Sequence, residues 1–246
     1  MINISYTLGT NTGKTSGDVR MGRPSVILPT RGKQFTAADL VDSDTFKEAL
    51  EEAFLAARES NDKVFVIGGF REVEDATGDP NFGTLADGYE ELLTEAIAKY
   101  TARHTAGAGQ TQSYTAFNGW ADGFFVVDHN RVLWYVNTAS GGARSFTSGS
   151  FYATYPKFGN TGNVATGQVR FSFGNAEEFK GGSLGALQLD FDVMSLQNIE
   201  DVELRQIAAS GYAFTIGAKK RFTGTDIYPA YDDVAAVVGA WKATLL

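Results

Sequence analysis

Two short apolar runs, residues 124–127 (FFVV) and 131–136 (RVLWYV), stand on either side of Asp128, His129 and Asn130. The three middle residues belong to the types that tolerate the positive φ of a tight turn, so the stretch is predicted to be a β-hairpin. A hairpin of this apolarity commits its surroundings to a sheet, and the neighbouring sequence supplies strands for one. Val169, Phe171 and Phe173 alternate with polar residues, as do Leu187, Leu189, Phe191 and Val193, and again Tyr212, Phe214 and Ile216. Period-two alternation gives each stretch one buried face. The chain opens in the same way at Ile2, Ile4, Tyr6 and Leu8, and residues 63–70 (KVFVIGGF) read as a short buried strand ended by glycines.

Helical spacing occurs in three places. Phe46, Ala49, Leu50, Ala53, Phe54 and Ala57 share one helix face, with Thr45 and Glu48 placed as a capping box, which predicts a helix over 45–58. Tyr89, Leu92, Leu93, Ala96, Ile97 and Tyr100 follow helical spacing after Asp87, and Val234, Val237, Val238, Trp241 and Leu245 do so behind Asp232 and Asp233. Two long segments interrupt these elements. Residues 9–33 are polar and glycine-rich, with Pro24 and Pro29 bracketing Val26, Ile27 and Leu28, and read as an extended arm or loop. Residues 137–167 are rich in Gly, Ser, Thr and Asn yet carry Phe146, Phe151, Tyr152, Tyr155 and Phe158, so part of this loop is expected to pack on something. No repeat and no sharp boundary divides the chain. The expected fold is α+β: a single structural domain over 1–246, mainly an antiparallel β-sandwich or barrel with two or three flanking helices and long extended loops.

Charge and composition narrow the function. The chain of 246 residues is 43% hydrophobic and 20% charged, the balance of a folded protein, and it has no cysteine for a disulfide, a thiolate nucleophile or a sulfur-bound zinc. No run of about 18 apolar residues occurs, and the start lacks the basic-then-apolar pattern of a secretion signal, so no membrane partner is expected. The net charge of −8 argues against a surface that coats nucleic acid. It is unevenly placed: Lys14, Arg20, Arg23, Arg31 and Lys33 face Asp18 alone within residues 1–35, a local +4, which leaves −12 for the remainder. A basic arm before an acidic body suits docking on a neighbouring copy or reaching nucleic acid; it also suits an ordinary solvated loop.

The chemical motifs are weak. Residues 9–15 (GTNTGKT) end like a phosphate-binding loop, but Gly9 and Gly13 enclose three residues instead of four and SGDVRMGRP follows in place of a helix. His129, in the predicted turn next to Asp128, and His104, at the end of a predicted element, read as surface polar residues and not as catalytic bases, and no G-x-S-x-G elbow or H-x-x-x-H pair is present. Asp190 with Asp192, and Asp232 with Asp233, lack the loop spacing of a calcium motif. Trp120, Trp134 and Trp241 sit among apolar neighbours and read as core. No enzyme activity, cofactor or metal is expected.

Residues 84–101 (TLADGYEELLTEAIAKYT), then 114–136 (YTAFNGWADGFFVVDHNRVLWYV) and 169–179 (VRFSFGNAEEF), resemble virion structural proteins of tailed bacteriophages, chiefly tail tube subunits. The resemblance rests on Asp87, Gly88 and Tyr89, on Phe117, Asn118 and Gly119, and on Val127, Asp128 and Asn130, and covers about residues 84–180. It implies a β-sandwich or barrel whose copies form hexameric rings that stack through loops and arms, with DNA passing through the lumen without specific binding. It also implies other virion proteins as partners, a place in the virion, and a strand over 89–104 where the spacing favours a helix. Under this reading Lys14, Arg20, Arg23, Arg31 and Lys33 of the arm and Phe146, Phe151, Tyr152, Tyr155 and Phe158 of the loop are the assembly candidates. The rival readings are a capsid shell or head-decoration protein and, in another class, a carbohydrate- or ligand-binding β-sandwich module.

Overall fold

A computed structural model describes residues 20–84, 89–105, 107–159, 166–180, 182–196, 202–210 and 213–220. The chain divides into two compact units, Met1–Asn198 and Ile199–Leu246, with no boundary legible in the sequence at that point. The second unit contributes one antiparallel pair among its described residues. The first holds the rest.

In chain order the first unit contains β1 (Pro24–Thr30), β2 (Gln34–Phe35), α1 (Ser43–Leu55), β3 (Ile67–Gly68), β4 (Phe70–Asp75), β5 (Asn81–Thr84), β6 (Glu90–Thr94) and β7 (Lys99–His104). There follow α2 (Ala108–Thr115), β8 (Gly123–Asp128), β9 (Val132–Asn137), β10 (Ala143–Arg144), β11 (Phe146–Ala153), β12 (Gly167–Phe173) and β13 (Leu184–Gln188). The second unit has β14 (Val202–Ser210) and β15 (Ala213–Lys220). The fold is α+β and mainly antiparallel: eleven strands form one continuous sheet that does not close.

That sheet bends into two layers at β11. Phe146 and Thr147 pair with Phe124 and Gly123 of β8, while Ser148 to Ala153 pair with β12 across a register shift between Ser148 and Ser150. The first layer therefore holds β1, β3, β8, β9, β10, β2 and β13; the second runs β11, β12, β7, β4. Gly123 is required at the corner, because a Cβ there would meet the Phe146 carbonyl oxygen at 2.6 Å.

The central strands of the first layer are buried on both faces, which is why they read as unbroken apolar runs. Ile27, Phe124, Val126, Val132, Trp134 and Val136 face the second layer, where they meet Ala102, Val169, Phe171 and Phe173. Val26, Leu28, Phe125, Val127, Leu133 and Tyr135 face the other way, onto Phe46, Leu50, Ala53 and Phe54 of α1. The order is helix, sheet, sheet.

The helix forms where the spacing predicts, with a different cap. Asp42, not Thr45, is the N-cap: its carboxylate accepts from the Thr45 amide at 2.8 Å. The β8–β9 hairpin also forms, but the positive φ, 62°, falls on Arg131 and on none of Asp128, His129 or Asn130. Asp128 is buried at its centre, accepting from the amides of Asn130 (2.8 Å), Val132 (3.1 Å) and Gly22 (2.9 Å) and from Trp134 Nε1 (3.0 Å).

Several expectations are corrected. Pro24–Thr30 is not part of an arm but a core strand between β3 and β8. Over residues 89–104, open between the helix that the spacing favours and the strand that the resemblance implies, the chain forms the strands β6 and β7. Residues 137–167 are not one loop, since β10 and β11 lie within them. The strand expected over 63–70 is cut to β3 and the start of β4, separated by Gly69 at φ 73°. The strand expected through Val193 ends at Gln188 and passes into a 3-10 turn at Val193–Ser195 capped by Asp192. Residues 2–8 and the closing helix at 234–245 lie outside the described residues.

Candidate functional site

The basic candidates are placed first. Lys14 lies outside the described residues. Arg20 is exposed, and Arg23 is exposed with its guanidinium donating to the Arg71 carbonyl at 3.4 Å. Arg31 is held inside its own chain: it pairs with Glu59 at 2.7 Å and lies 5.3 Å from the Trp120 ring centre. Lys33 likewise pairs with Asp62 at 3.4 Å and lies over Phe35. The expected docking of basic residues on an acidic face is thus met at Arg31 and Lys33 by the loop that follows α1 in the same chain.

The five aromatic candidates split. Phe146 and Phe151 are core residues, Phe146 stacking on Phe179 with ring centres 5.1 Å apart. Tyr152, Tyr155 and Phe158 are exposed, Phe158 fully at 104%. Strand geometry explains the split, because Phe151 points between the layers and its neighbour Tyr152 points out. Tyr152 stands opposite Arg170 of β12, also exposed, on the outer face of the second layer.

A second exposed apolar group was not legible in the sequence. Strands β5 and β6 form a separate two-stranded hairpin between β4 and β7, and there Phe82 (53% exposed) pairs directly with Leu92 (47%). Tyr89, just before β6, is 74% exposed. The helical spacing of Tyr89, Leu92 and Ile97 hid this, since apolar residues at such spacing ordinarily face a core. Among the residues whose side chains are described, the five exposed aromatics fall in these two stretches: Phe82 and Tyr89 in the first, Tyr152, Tyr155 and Phe158 in the second.

The two stretches carry opposite charge. Residues 76–98 contain Asp79, Asp87, Glu90, Glu91 and Glu95 and no Lys or Arg. Residues 129–176 contain Arg131, Arg144, Lys157 and Arg170 and no Asp or Glu. Of those cations Arg144 is engaged at the sheet corner, where the buried Glu178 accepts from it at 2.6 Å and from the amide and hydroxyl of Thr147 at 2.9 and 2.8 Å. Lys157 and Arg170 are exposed beside the exposed aromatics.

Between the layers opens a cleft of about 460 Å³ with Tyr100, Val126, Trp134, Phe173 and Phe179 on its walls. Lys180 closes one side, bridging Glu95 (2.5 Å) and Glu177 (2.9 Å). Those carboxylates hold its ammonium above the ordinary lysine range, Glu95 contributing most. Burial, and then the Asp75 charge, push the Tyr100 phenol up. His104 is not at the surface as expected but buried against the Tyr114 ring, 5.2 Å between centres, and burial holds its imidazole below the ordinary value. His129 lies at the exposed turn of β8–β9 beside Asp128, whose carboxylate is taken up by three backbone amides and the Trp134 indole. Asp190 accepts from the Ser43 hydroxyl and Asp192 caps its own turn, so their carboxylates serve local structure. Among the described residues no three His, Asp or Glu side chains gather as metal ligands, and no helix is long and apolar enough to cross a membrane.

The turn residues that carry the phage resemblance have structural work in this fold. Phe117 is buried, Asn118 brackets β11 by donating to the Ala153 carbonyl (3.0 Å) and accepting from its amide (2.6 Å), and Gly119 takes φ 71°. Tyr89 is exposed; Asp87 and Gly88 lie outside the described residues. No protein-family model, no curated protein and no solved structure matches the chain.

Proposed function

We propose that the chain is a non-enzymatic subunit of a phage virion that assembles with copies of itself, as a major tail tube protein forming stacked rings around a DNA channel. The observation that carries this reading is the concentration, among the residues whose side chains are described, of the exposed aromatics in two stretches, on a body whose other large apolar residues are mostly packed. Exposed apolar groups gathered on a hairpin and a strand end suit contacts with another protein surface. The net charge of −8 fits a lumen that lets DNA pass, because like charge repels phosphate. The resemblance of residues 84–180 supplies the tail tube assignment within that class.

Negative-stain electron microscopy of the full chain, with light scattering at low and high salt, tests the reading. Sixfold rings or tubes with an open lumen are the expected result. Closed shells, or binding to phage heads alone, would favour a capsid or decoration protein. A monomer at every concentration and salt would overturn self-assembly.

The aromatic cleft favours one further reading, a ligand-binding β-sandwich module, since apolar walls with a few polar groups are what small-molecule sites share. A monomer whose melting temperature rises with a bound sugar or other small ligand would establish that reading in place of assembly.

A further inference from the structure

We infer that the β5–β6 hairpin of one copy docks on the Tyr152–Phe158 strip of the next, so that the two exposed aromatic stretches are the two halves of one head-to-tail contact between copies of this chain. The inference rests on the assembly reading above and specifies its interface.

Three observations point to a second copy as the occupant. First, the charges sort. The hairpin presents the exposed Glu90 and Glu91 with Asp79 just ahead of it, whereas the strip presents the exposed Lys157 and Arg170; Glu95 and Arg144 are already paired inside the chain. Complementary potentials steer encounter and fix register, and like potentials on the two stretches would have forbidden this pairing. Second, each stretch mixes its charge with apolar area. Phe82, Leu92 and Glu90 share one face of the hairpin, because Phe82 pairs with Leu92 and Glu90 lies two residues away along β6. Tyr152 and Arg170 share the outer face of the second layer, with Tyr155, Lys157 and Phe158 continuing along the chain. Apolar anchors ringed by charge are the arrangement of an interface centre and its rim. Third, the stretches do not cover each other within one copy. Phe82, Tyr89, Leu92, Tyr152, Tyr155 and Phe158 are all about half exposed or more in the isolated chain.

Because the two surfaces differ, the contact is heterologous, and each copy offers one hairpin and one strip. Repetition then closes into a ring if the rotation permits and otherwise runs on as a filament.

Two charge-reversed variants separate this proposal from general self-association. In E90K/E91K two lysines on β6 face the exposed cations Lys157 and Arg170; in K157E/R170E two carboxylates on the strip face Glu90 and Glu91. All four side chains are exposed, so circular dichroism and melting temperature should match the wild type for each. In sedimentation velocity at low salt each variant alone should associate roughly a hundredfold more weakly than wild type. An equimolar mixture of the two should regain wild-type assembly, since the lysines on β6 of one variant then meet the carboxylates on the strip of the other, and the unaltered hairpin meets the unaltered strip. Wild type that assembles while both variants also assemble, or a mixture that stays dissociated, overturns the pairing and leaves the assembly reading standing. Wild type that never assembles overturns both.

Discussion

The chain contains two hairpins built from similar apolar material and treats them in opposite ways. In β8–β9 every apolar residue meets the chain's own core: Phe124, Val126 and Trp134 lie against the second layer, Phe125, Val127 and Leu133 against α1, and the buried Asp128 carboxylate ties the turn. In β5–β6, Phe82 and Leu92 pair with each other and with little else, about half exposed, in a segment where Glu90 and Glu91 are also exposed. The first hairpin stabilises the monomer through burial. The second cannot, so its apolar area gains free energy only when another surface covers it.

That contrast orders the expected effects. Deleting residues 24–30 removes the strand between β3 and β8 and should abolish cooperative unfolding altogether, as followed by circular dichroism; a deletion variant that melts normally would show that the segment is an arm after all. Truncating the inner hairpin comes next. Trp134→Ala should lose about 3–5 kcal/mol in denaturant unfolding, because a fully buried ring leaves a cavity and Asp128 loses a donor. The matching truncation in the outer hairpin, Phe82→Ala, should change monomer stability by no more than about 0.5 kcal/mol while weakening assembly. Equal costs at the two sites would erase the distinction between the hairpins.

Smaller effects sharpen it further. Gly167→Ala places a methyl against the buried His104 ring and should lower the melting temperature, with space made only if the imidazole moves. His104 also sets a pH signature. Its imidazole is held neutral by burial, below the ordinary value near 6.5, so the unfolded chain takes up the proton first as pH falls. The stability it contributes is present above about pH 6.5 and declines below it. His104→Gln should flatten that part of a stability–pH curve, and an unchanged slope would assign the acid sensitivity to carboxylates. Last, Arg31→Ala removes a partly exposed ion pair and a ring contact and should cost about 1 kcal/mol or less with assembly unchanged. Loss of assembly in that variant would return Arg31 to the role of an intersubunit contact.

Much of the inner region was legible in the sequence. Two apolar runs around a turn are enough to specify β8–β9, and alternation at Val169, Phe171 and Phe173 specifies β12 because these three face the core while Arg170 between them faces outward. The helix at Phe46 to Phe54 was legible for the same kind of reason. Strand β1 was not, because Pro24 and Pro29 imitate a loop signal. Pro24 occupies the first strand position ahead of a register shift, and Pro29 uses its carbonyl, which accepts from the Phe65 amide, in place of the N–H it lacks. The outer region failed for a different reason. Spacing tells which residues share a face, not whether the chain supplies a partner for that face, so Tyr89 and Leu92 looked like a helix core. Phe151 and Tyr152 are adjacent and similar in type, and only the direction of β11 makes one core and the other surface.

The most direct test of this account is sedimentation velocity on wild type beside Phe82→Ser/Leu92→Ser, with melting temperatures measured on the same samples. Wild type that assembles and a double variant that stays monomeric with an unchanged melting temperature is the expected result. A double variant that assembles like wild type, or one that loses its fold, would contradict the claim that the outer hairpin is built for a second copy.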